Sequence, residues 1–282
     1  IYTSLFVGSV RCVLETATSL LAEQKIGVIY DSGGKFDKSF NELAYRTALR
    51  VHEELGYGMI EFEAANNTQI EQGMRKVADR GATLVVAMGF AQANAVAAVA
   101  PDYPDVNFVA VDVCWVDDPA NNIYQACYKE HEGSFLVGMI AAMKTQTGKV
   151  GFVGGMDIPL IRKFQGGYEQ GAKFVNPDIE VYANMTGTTV EAWNNPTKGA
   201  ELTKSQIDKG ADVIYQAAGG TGIGVLQAAA DAGVYSIGVD TNQNWMHPGS
   251  VLTSMLKRLD LTIYEQMQKT ADGPFVSGIY IL

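Results

Sequence analysis

The sequence predicts an α/β fold made of two similar units, each a parallel sheet flanked by helices. Three observations carry this. Strand-like and helix-like patterns alternate almost without a break over residues 25–255, and alternation of that kind builds parallel sheets. The second half of the chain also repeats the first: Val77-Ala78-Asp79-Arg80-Gly81-Ala82-Thr83-Leu84-Val85-Val86-Ala87-Met88-Gly89 is echoed by Gln206-Ile207-Asp208-Lys209-Gly210-Ala211-Asp212-Val213-Ile214-Tyr215-Gln216-Ala217-Ala218-Gly219. Each copy then runs through an Ala-rich helix into a strand that ends in Val-Asp, at Asp112 and at Asp240. Two units of one design predict two lobes with a ligand cleft between them.

Element by element, Lys25 to Asp31 is a buried strand, and residues 38–55 form a helix stopped by Gly56. Its apolar face carries Phe40, Leu43, Ala44, Thr47, Ala48, Val51 and Leu55. Met59 to Phe62 is a short strand, and Asn66-Asn67-Thr68 starts a helix that runs to Arg80. Strands follow at 83–88 and 107–112 around a helix at 91–100, with an edge strand at 122–128. A long helix spans 130–144, and Lys149 to Gly155 then restarts the strand pattern. Helices at 160–174, 196–209 and 225–232 alternate with strands at 179–183, 212–216 and 235–240. Val251 to Met255 reads as a strand returning to the first lobe, and Ser277 to Leu282 as a last strand. The expected lobes are 25–128 with 252–282, and 129–251. Residues 1–24 stand apart as a leader remnant or extra N-terminal segment. Arg11 and Glu15 break that segment's apolar run below membrane-spanning length. With the chain stopping inside a predicted strand, a further C-terminal piece is expected.

Composition narrows the partners. The 282 residues are 47% hydrophobic with a formal net charge of −10. Nucleic acid and anionic membranes reward clustered Lys and Arg, so both are disfavoured. Cys12, Cys114 and Cys127 have no metal-ligand spacing and are expected as small buried apolar residues, with a Cys114–Cys127 disulfide as the alternative. His52, His131 and His247 form no zinc motif. No metal site and no cofactor are expected.

In parallel sheets ligands bind beyond the carboxyl ends of the strands. Three groups of residues lie there. The loop Asp31-Ser32-Gly33-Gly34-Lys35-Phe36-Asp37-Lys38-Ser39-Phe40-Asn41 joins a strand-end acid, two glycines and a helix start. It is either a ligand loop or an ordinary capped turn. Ala217-Ala218-Gly219-Gly220-Thr221-Gly222-Ile223-Gly224 lacks dinucleotide-loop spacing and reads as a turn whose backbone touches a ligand. Asp112 and Asp240 occupy equivalent places in the repeat, as acceptors for ligand O–H or N–H groups or as strand-end helix caps. Aromatic residues Phe36, Phe40, Phe90, Trp115, Trp193 and Trp245 lie near these loops. More than half of them are expected in the core, the remainder against a flat ligand.

The 31–41 loop closely resembles D-x-G-G-x-x-D-x-S-F-N, the signature of the basic membrane protein family. Ala218-Gly219-Gly220-Thr221-Gly222, Gly238-Val239-Asp240 and Thr253-Ser254-Met255-Leu256-Lys257-Arg258 resemble further family motifs in the same order. Members are substrate-binding proteins of ABC importers and include purine nucleoside receptors. The resemblance implies a type I periplasmic-binding-protein fold, with two lobes joined by three crossovers. It implies that Phe40 stacks on a purine base, with Trp193 as a second stacking aromatic where the family commonly has Phe. It implies that Asp112 reads the purine edge, and that Asp240 and Lys257 hold the ribose hydroxyls. Asp31, Ser39, Gly219 and Gly220 would line the same cleft.

The expected function is therefore capture of a purine nucleoside (adenosine, guanosine or inosine type) for an ABC permease, in the periplasm or at the cell envelope, without catalysis. Rivals are a receptor or sensor for a sugar or autoinducer-like ligand, and a nucleoside-acting enzyme. The enzyme is disfavoured by the missing cofactor fingerprint and the lack of a nucleophile or metal constellation in the sequence.

Overall fold

The computed structural model describes residues 24–64 and 66–282. Cys12 and the apolar segment 1–22 lie outside them. Two compact units emerge among the described residues: 24–29, 44–127 and 260–280 form the first, and 30–43, 128–259 and 281–282 the second.

The first unit holds a sheet built from β1 (Lys25–Tyr30), β2 (Gly58–Glu63), β3 (Leu84–Met88), β4 (Asn107–Val111), β5 (Ile123–Cys127) and β11 (Gly278–Ile281). Its order is β11-β5-β4-β3-β1-β2. The β1–β3, β3–β4 and β4–β5 pairs are parallel, with Ile26 opposite Leu84, Leu84 opposite Asn107 and Phe108 opposite Ile123. Helices α1 (Phe40–Leu55), α2 (Ile70–Asp79), α3 (Ala93–Val99) and α8 (Leu259–Asp272) complete the elements that begin or end in this unit. Buried Val77, Val85, Val96, Phe108 and Ile123 form its core with their neighbours. Gly56 ends α1 at φ +74, its N–H donating to the His52 carbonyl at 3.0 Å, as its position in the sequence predicts. The 122–128 segment, expected at a sheet edge, is interior, because β11 pairs beyond it.

The second unit holds β6 (Lys149–Met156), β7 (Glu180–Gly187), β8 (Val213–Ala217), β9 (Tyr235–Asp240) and β10 (Val251–Leu256), in the order β10-β9-β8-β6-β7, all neighbours parallel. The β10 strand pairs with β9 along Thr253 to Leu256. This corrects the expectation that 251–255 returns to the first sheet. The strand follows β9 after the connection 241–250 and takes the free edge there. Helices α4 (Glu130–Lys144), α5 (Pro159–Val175), α6 (Pro196–Asp208) and α7 (Thr221–Asp231) flank this sheet. Phe152, Phe164, Tyr168, Val213, Tyr215 and Ile237 form its core.

Glycine sets how closely α4 and α5 approach. A Cβ on Gly138 would overlap the Tyr168 carbonyl, and one on Gly171 would overlap the Phe135 carbonyl. The helices therefore touch backbone to backbone. Glycine plays the same part between α6 and α7. The expected turn at 217–224 is shorter than the sequence reading had it, because α7 starts at Thr221. Gly224 packs on the Pro196 carbonyl, so that glycine makes room for a helix and not for a ligand.

The repeat is also a repeat of torsions. Gly81 and Gly210 stop the preceding helices at φ +85 and +98, each N–H donating back at 2.8 Å, to Ala78 and to Ile207. Gly89 and Gly219 follow strands β3 and β8 at φ +93 and +56. Asp112 and Asp240 close β4 and β9 at φ +63 and +64. For a non-glycine residue this left-handed region is uncommon, and such strain gathers at functional sites.

Cys114 and Cys127 form a disulfide with their Cα atoms 6.1 Å apart. The expectation of separate buried thiols is overturned: β4 and β5 are neighbours, and each cysteine lies at or just beyond its strand's end. Among the described residues no helix is long and apolar enough to cross a membrane.

Candidate ligand-binding site

Within the second unit, the carboxyl ends of β8, β9 and β10 converge with the 31–41 loop. The loop is built by its own signature residues. Asn41 clamps it: Nδ2 donates to Asp31 Oδ1 at 2.6 Å and to the Gly34 carbonyl at 3.2 Å, while Oδ1 accepts the Asp31 N–H at 3.2 Å. Asp31 Oδ1 also accepts the Gly33 N–H at 2.8 Å, and Gly34 takes φ +82, which favours glycine. Asp37 accepts backbone N–H groups from Ser39, Asn41 and Glu42 at 2.8, 3.0 and 3.1 Å, satisfying the orphan donors at the start of α1. Of the two readings left open for this loop, the capped turn is what the structure shows: Asp31 and Asp37 build it, and the residues after them are presented by it.

Burial pushes the Asp37 carboxyl up to about 8, against the pull of its three backbone donors. With the folded value above the ordinary one of 3.8, the native state holds this proton more tightly than the unfolded chain does. The resulting stability is complete below the ordinary value and is lost as pH rises through about 8. Asp37→Asn is expected to flatten the stability curve across that window. Parallel slopes for the two proteins in urea titrations from acid to mildly alkaline pH would exclude this role.

Ser39, fully buried, donates through Oγ to Asp240 Oδ2 at 2.5 Å. Asp240 is 7% exposed. Its carboxyl is raised by burial, opposed by the Lys257 charge and the Ser39 hydroxyl, with Glu130 and Asp31 adding upward pressure. Lys257 follows β10, and its N–H donates to the Asp240 carbonyl at 3.0 Å. Its ammonium lies 3.1 Å from Glu130 Oε1, both side chains nearly inaccessible. It also stands over the rings of Tyr128, Phe40 and Phe164, 5.0, 5.5 and 5.7 Å from their centroids, within cation–π range. Lys163 approaches Glu130 Oε2 at 3.5 Å from the more exposed side. Gln243 ties the loop to the sheet, donating to the Lys38 carbonyl at 2.9 Å and accepting the Val239 N–H at 2.9 Å.

Trp193 lies in the turn at 190–193 and packs directly on Gly155, where any Cβ would overlap the indole. Two threonines pin that turn: Thr186 and Thr221 donate to the Ala192 carbonyl at 3.0 and 2.8 Å. Gly219 and Gly220 run beside the Trp193 carbonyl. Eight of the nine residues singled out in the sequence thus belong to the second unit: Asp31, Ser39, Phe40, Trp193, Gly219, Gly220, Asp240 and Lys257. Asp112 belongs to the first, where it is buried at the end of β4.

The structure adds to the reading of Lys257 and overturns that of the aromatic set. Lys257 is a buried, ion-paired lysine. Glu130, Tyr128 and Phe164 surround it, with Lys163 against Glu130, and were missed, because they lie at or near the starts of α4 and α5, outside every glycine motif. The one sequence signal for Glu130 is an acid at the first position of a helix, which usually means only a favourable dipole contact. Nor does the aromatic set sit mainly in the core. Trp115, Phe36 and Trp245 are 62%, 59% and 55% exposed, and Phe40, Phe90 and Trp193 are half-buried.

Chemically, the second unit offers buried carboxylate and ammonium groups beside aromatic faces, which suits a neutral molecule with hydroxyls and a flat ring. Comparison with known proteins decides the family. Residues 23–281 match the Bmp family model, described as ABC transporter substrate-binding protein PnrA-like. The chain belongs to the Bmp family.

A relative from Lactococcus lactis subsp. cremoris, named ABC transporter nucleoside-binding protein BmpA, is 30% identical over 288 residues, spanning 94% of this chain and 80% of that protein. Basic membrane protein A2 of Borrelia garinii subsp. bavariensis is 32% identical over 237 residues, spanning 83% of this chain and 68% of the relative. Among solved structures, an ABC transporter system solute-binding protein from Aeropyrum pernix K1 matches at TM-score 0.84 and 30% identity, over 92% of this Bmp chain and 74% of its own. The two parallel-sheet units are thus those of the type I periplasmic-binding-protein fold.

Proposed function

We propose that this Bmp chain captures a purine nucleoside for import by an ABC permease, and performs no chemistry on it. The observation that carries the reading is the buried Ser39–Asp240 pair beside Lys257 and the Phe40 ring. Asp240 accepts from ribose hydroxyls, and Lys257 donates to them. Phe40 and Trp193 offer their faces to the base, and the Gly219-Gly220 backbone lets the ligand come close. Asp112 reads the purine edge. The nucleoside-binding name of the Lactococcus relative supports the same ligand class. The place of action is the periplasm or cell envelope, in keeping with the Cys114–Cys127 disulfide, a bond that persists in oxidising compartments.

Asp240 and Glu130 are both buried carboxylates, so a phosphate brought beside them meets like charge. Calorimetry is expected to show adenosine or guanosine binding at least about tenfold more tightly than the matching monophosphate, the equivalent of one lost charge-assisted hydrogen bond. Equal affinities for nucleoside and nucleotide would remove this reading. Chromatography after incubation with inosine is expected to return inosine unchanged, and release of free base would turn the assignment to an enzyme.

A further inference from the structure

We propose that Glu130 is a positioning residue for ligand recognition: it holds the Lys257 ammonium in place so that Asp240 and Lys257 together read ligand hydroxyls. The proposal rests on the nucleoside reading above and adds to it a residue outside the signature motifs. Glu130 is 2% exposed, yet neither of its carboxylate oxygens has a hydrogen-bond partner among the described residues. Its partners are two ammonium groups, Lys257 at 3.1 Å and Lys163 at 3.5 Å. A buried carboxylate is costly unless a charge compensates it. Lys163 is 47% exposed at its side chain, so water screens it. Lys257 is the buried compensating charge.

The reverse dependence matters more. Lys257 reaches its place at the end of a flexible four-carbon stem, and an ammonium is a compact charge without directional preference. The rings of Phe40, Tyr128 and Phe164 attract it only along their faces. The Asp240 carboxylate attracts it as well. With Glu130 absent, the ammonium loses the carboxylate at 3.1 Å, and the pull of Asp240 gains weight. The ammonium then closes on Asp240 and occupies the acceptor that hydroxyls require. Glu130, fixed at the first position of α4, holds the ammonium at 3.1 Å and leaves both groups presented.

The test measures hydroxyl preference by calorimetry, as the ratio of affinities for adenosine and 2′,3′-dideoxyadenosine. The wild-type chain is expected to prefer adenosine by at least about tenfold. Glu130→Gln keeps the shape and removes the charge, and is expected to bring the ratio close to one. Glu130→Asp keeps the charge, and is expected to retain part of the ratio. A purely structural Glu130 would lower the melting temperature, or both affinities together, and leave the ratio at its wild-type value. That outcome overturns the proposal. A wild-type chain that binds neither compound would instead sink the nucleoside reading itself, and the proposal with it. Should Glu130→Gln fail to fold, Glu130→Asp alone decides between an altered and an unaltered ratio.

Discussion

Replacing Asp240 with alanine is expected to weaken nucleoside binding at least about tenfold while the chain stays folded, because hydrogen bonds to charged groups are worth about 1.5–3 kcal/mol. The change removes the acceptor that Ser39 meets at 2.5 Å and one of the charges facing Lys257. Two effects on stability oppose each other. Alanine tolerates φ +64 less well than aspartate, at a cost of about 1–2 kcal/mol. Against this, a carboxyl disfavoured by burial is removed. Asp240→Asn separates charge from backbone, since asparagine visits the left-handed region readily. It should keep the melting temperature and still lose affinity. A dissociation constant unchanged in both variants would take Asp240 out of the site.

The second large effect is on stability. Gly138→Val is expected to destabilise the chain by about 3 kcal/mol or more, the upper range for overpacking a tight contact, because the new side chain meets the Tyr168 backbone instead of a movable side chain. At roughly 2–4 °C per kcal/mol for a domain of this size, the melting temperature should fall by about 6–12 °C. The same substitution at Gly166, where nothing lies within 4 Å of an added Cβ, provides the control. Equal losses at both positions would mean that helix propensity, and not the close approach of α4 and α5, governs the effect.

Much of this molecule was legible before any coordinates. Strand–helix alternation and the internal echo are periodic signals, and burial enforces them, so both sheets and the equivalence of Asp112 and Asp240 could be read directly. The 31–41 motif marked a loop that closes on its own residues but blurred the jobs inside it. Asp31, Asp37 and Asn41 close the turn, whereas Ser39 and Phe40 face the charged cluster. A linear motif does not separate residues that make a shape from residues that use it. Glu130 was illegible for a different reason. Its significance depends on a lysine far along the chain, and no spacing rule connects a helix start with a strand end. The placement of β10 failed likewise, because pairing partners are chosen by three-dimensional proximity, and the local pattern of 251–255 suits either sheet equally.

The matched left-handed residues bear on how the chain could be rearranged. From Gly81 through Gly89 to Asp112, and from Gly210 through Gly219 to Asp240, reversals of backbone hand fall at the same three stations. Between those stations side chains have diverged freely, as Phe90 against Gly220 illustrates. A segment exchanged between the halves with its junctions at these stations would carry its bends intact, whereas one cut a residue away would misdirect every strand that follows. The halves are thus modular at their punctuation, and a chimaera designed there inherits a register that its residues alone would not supply.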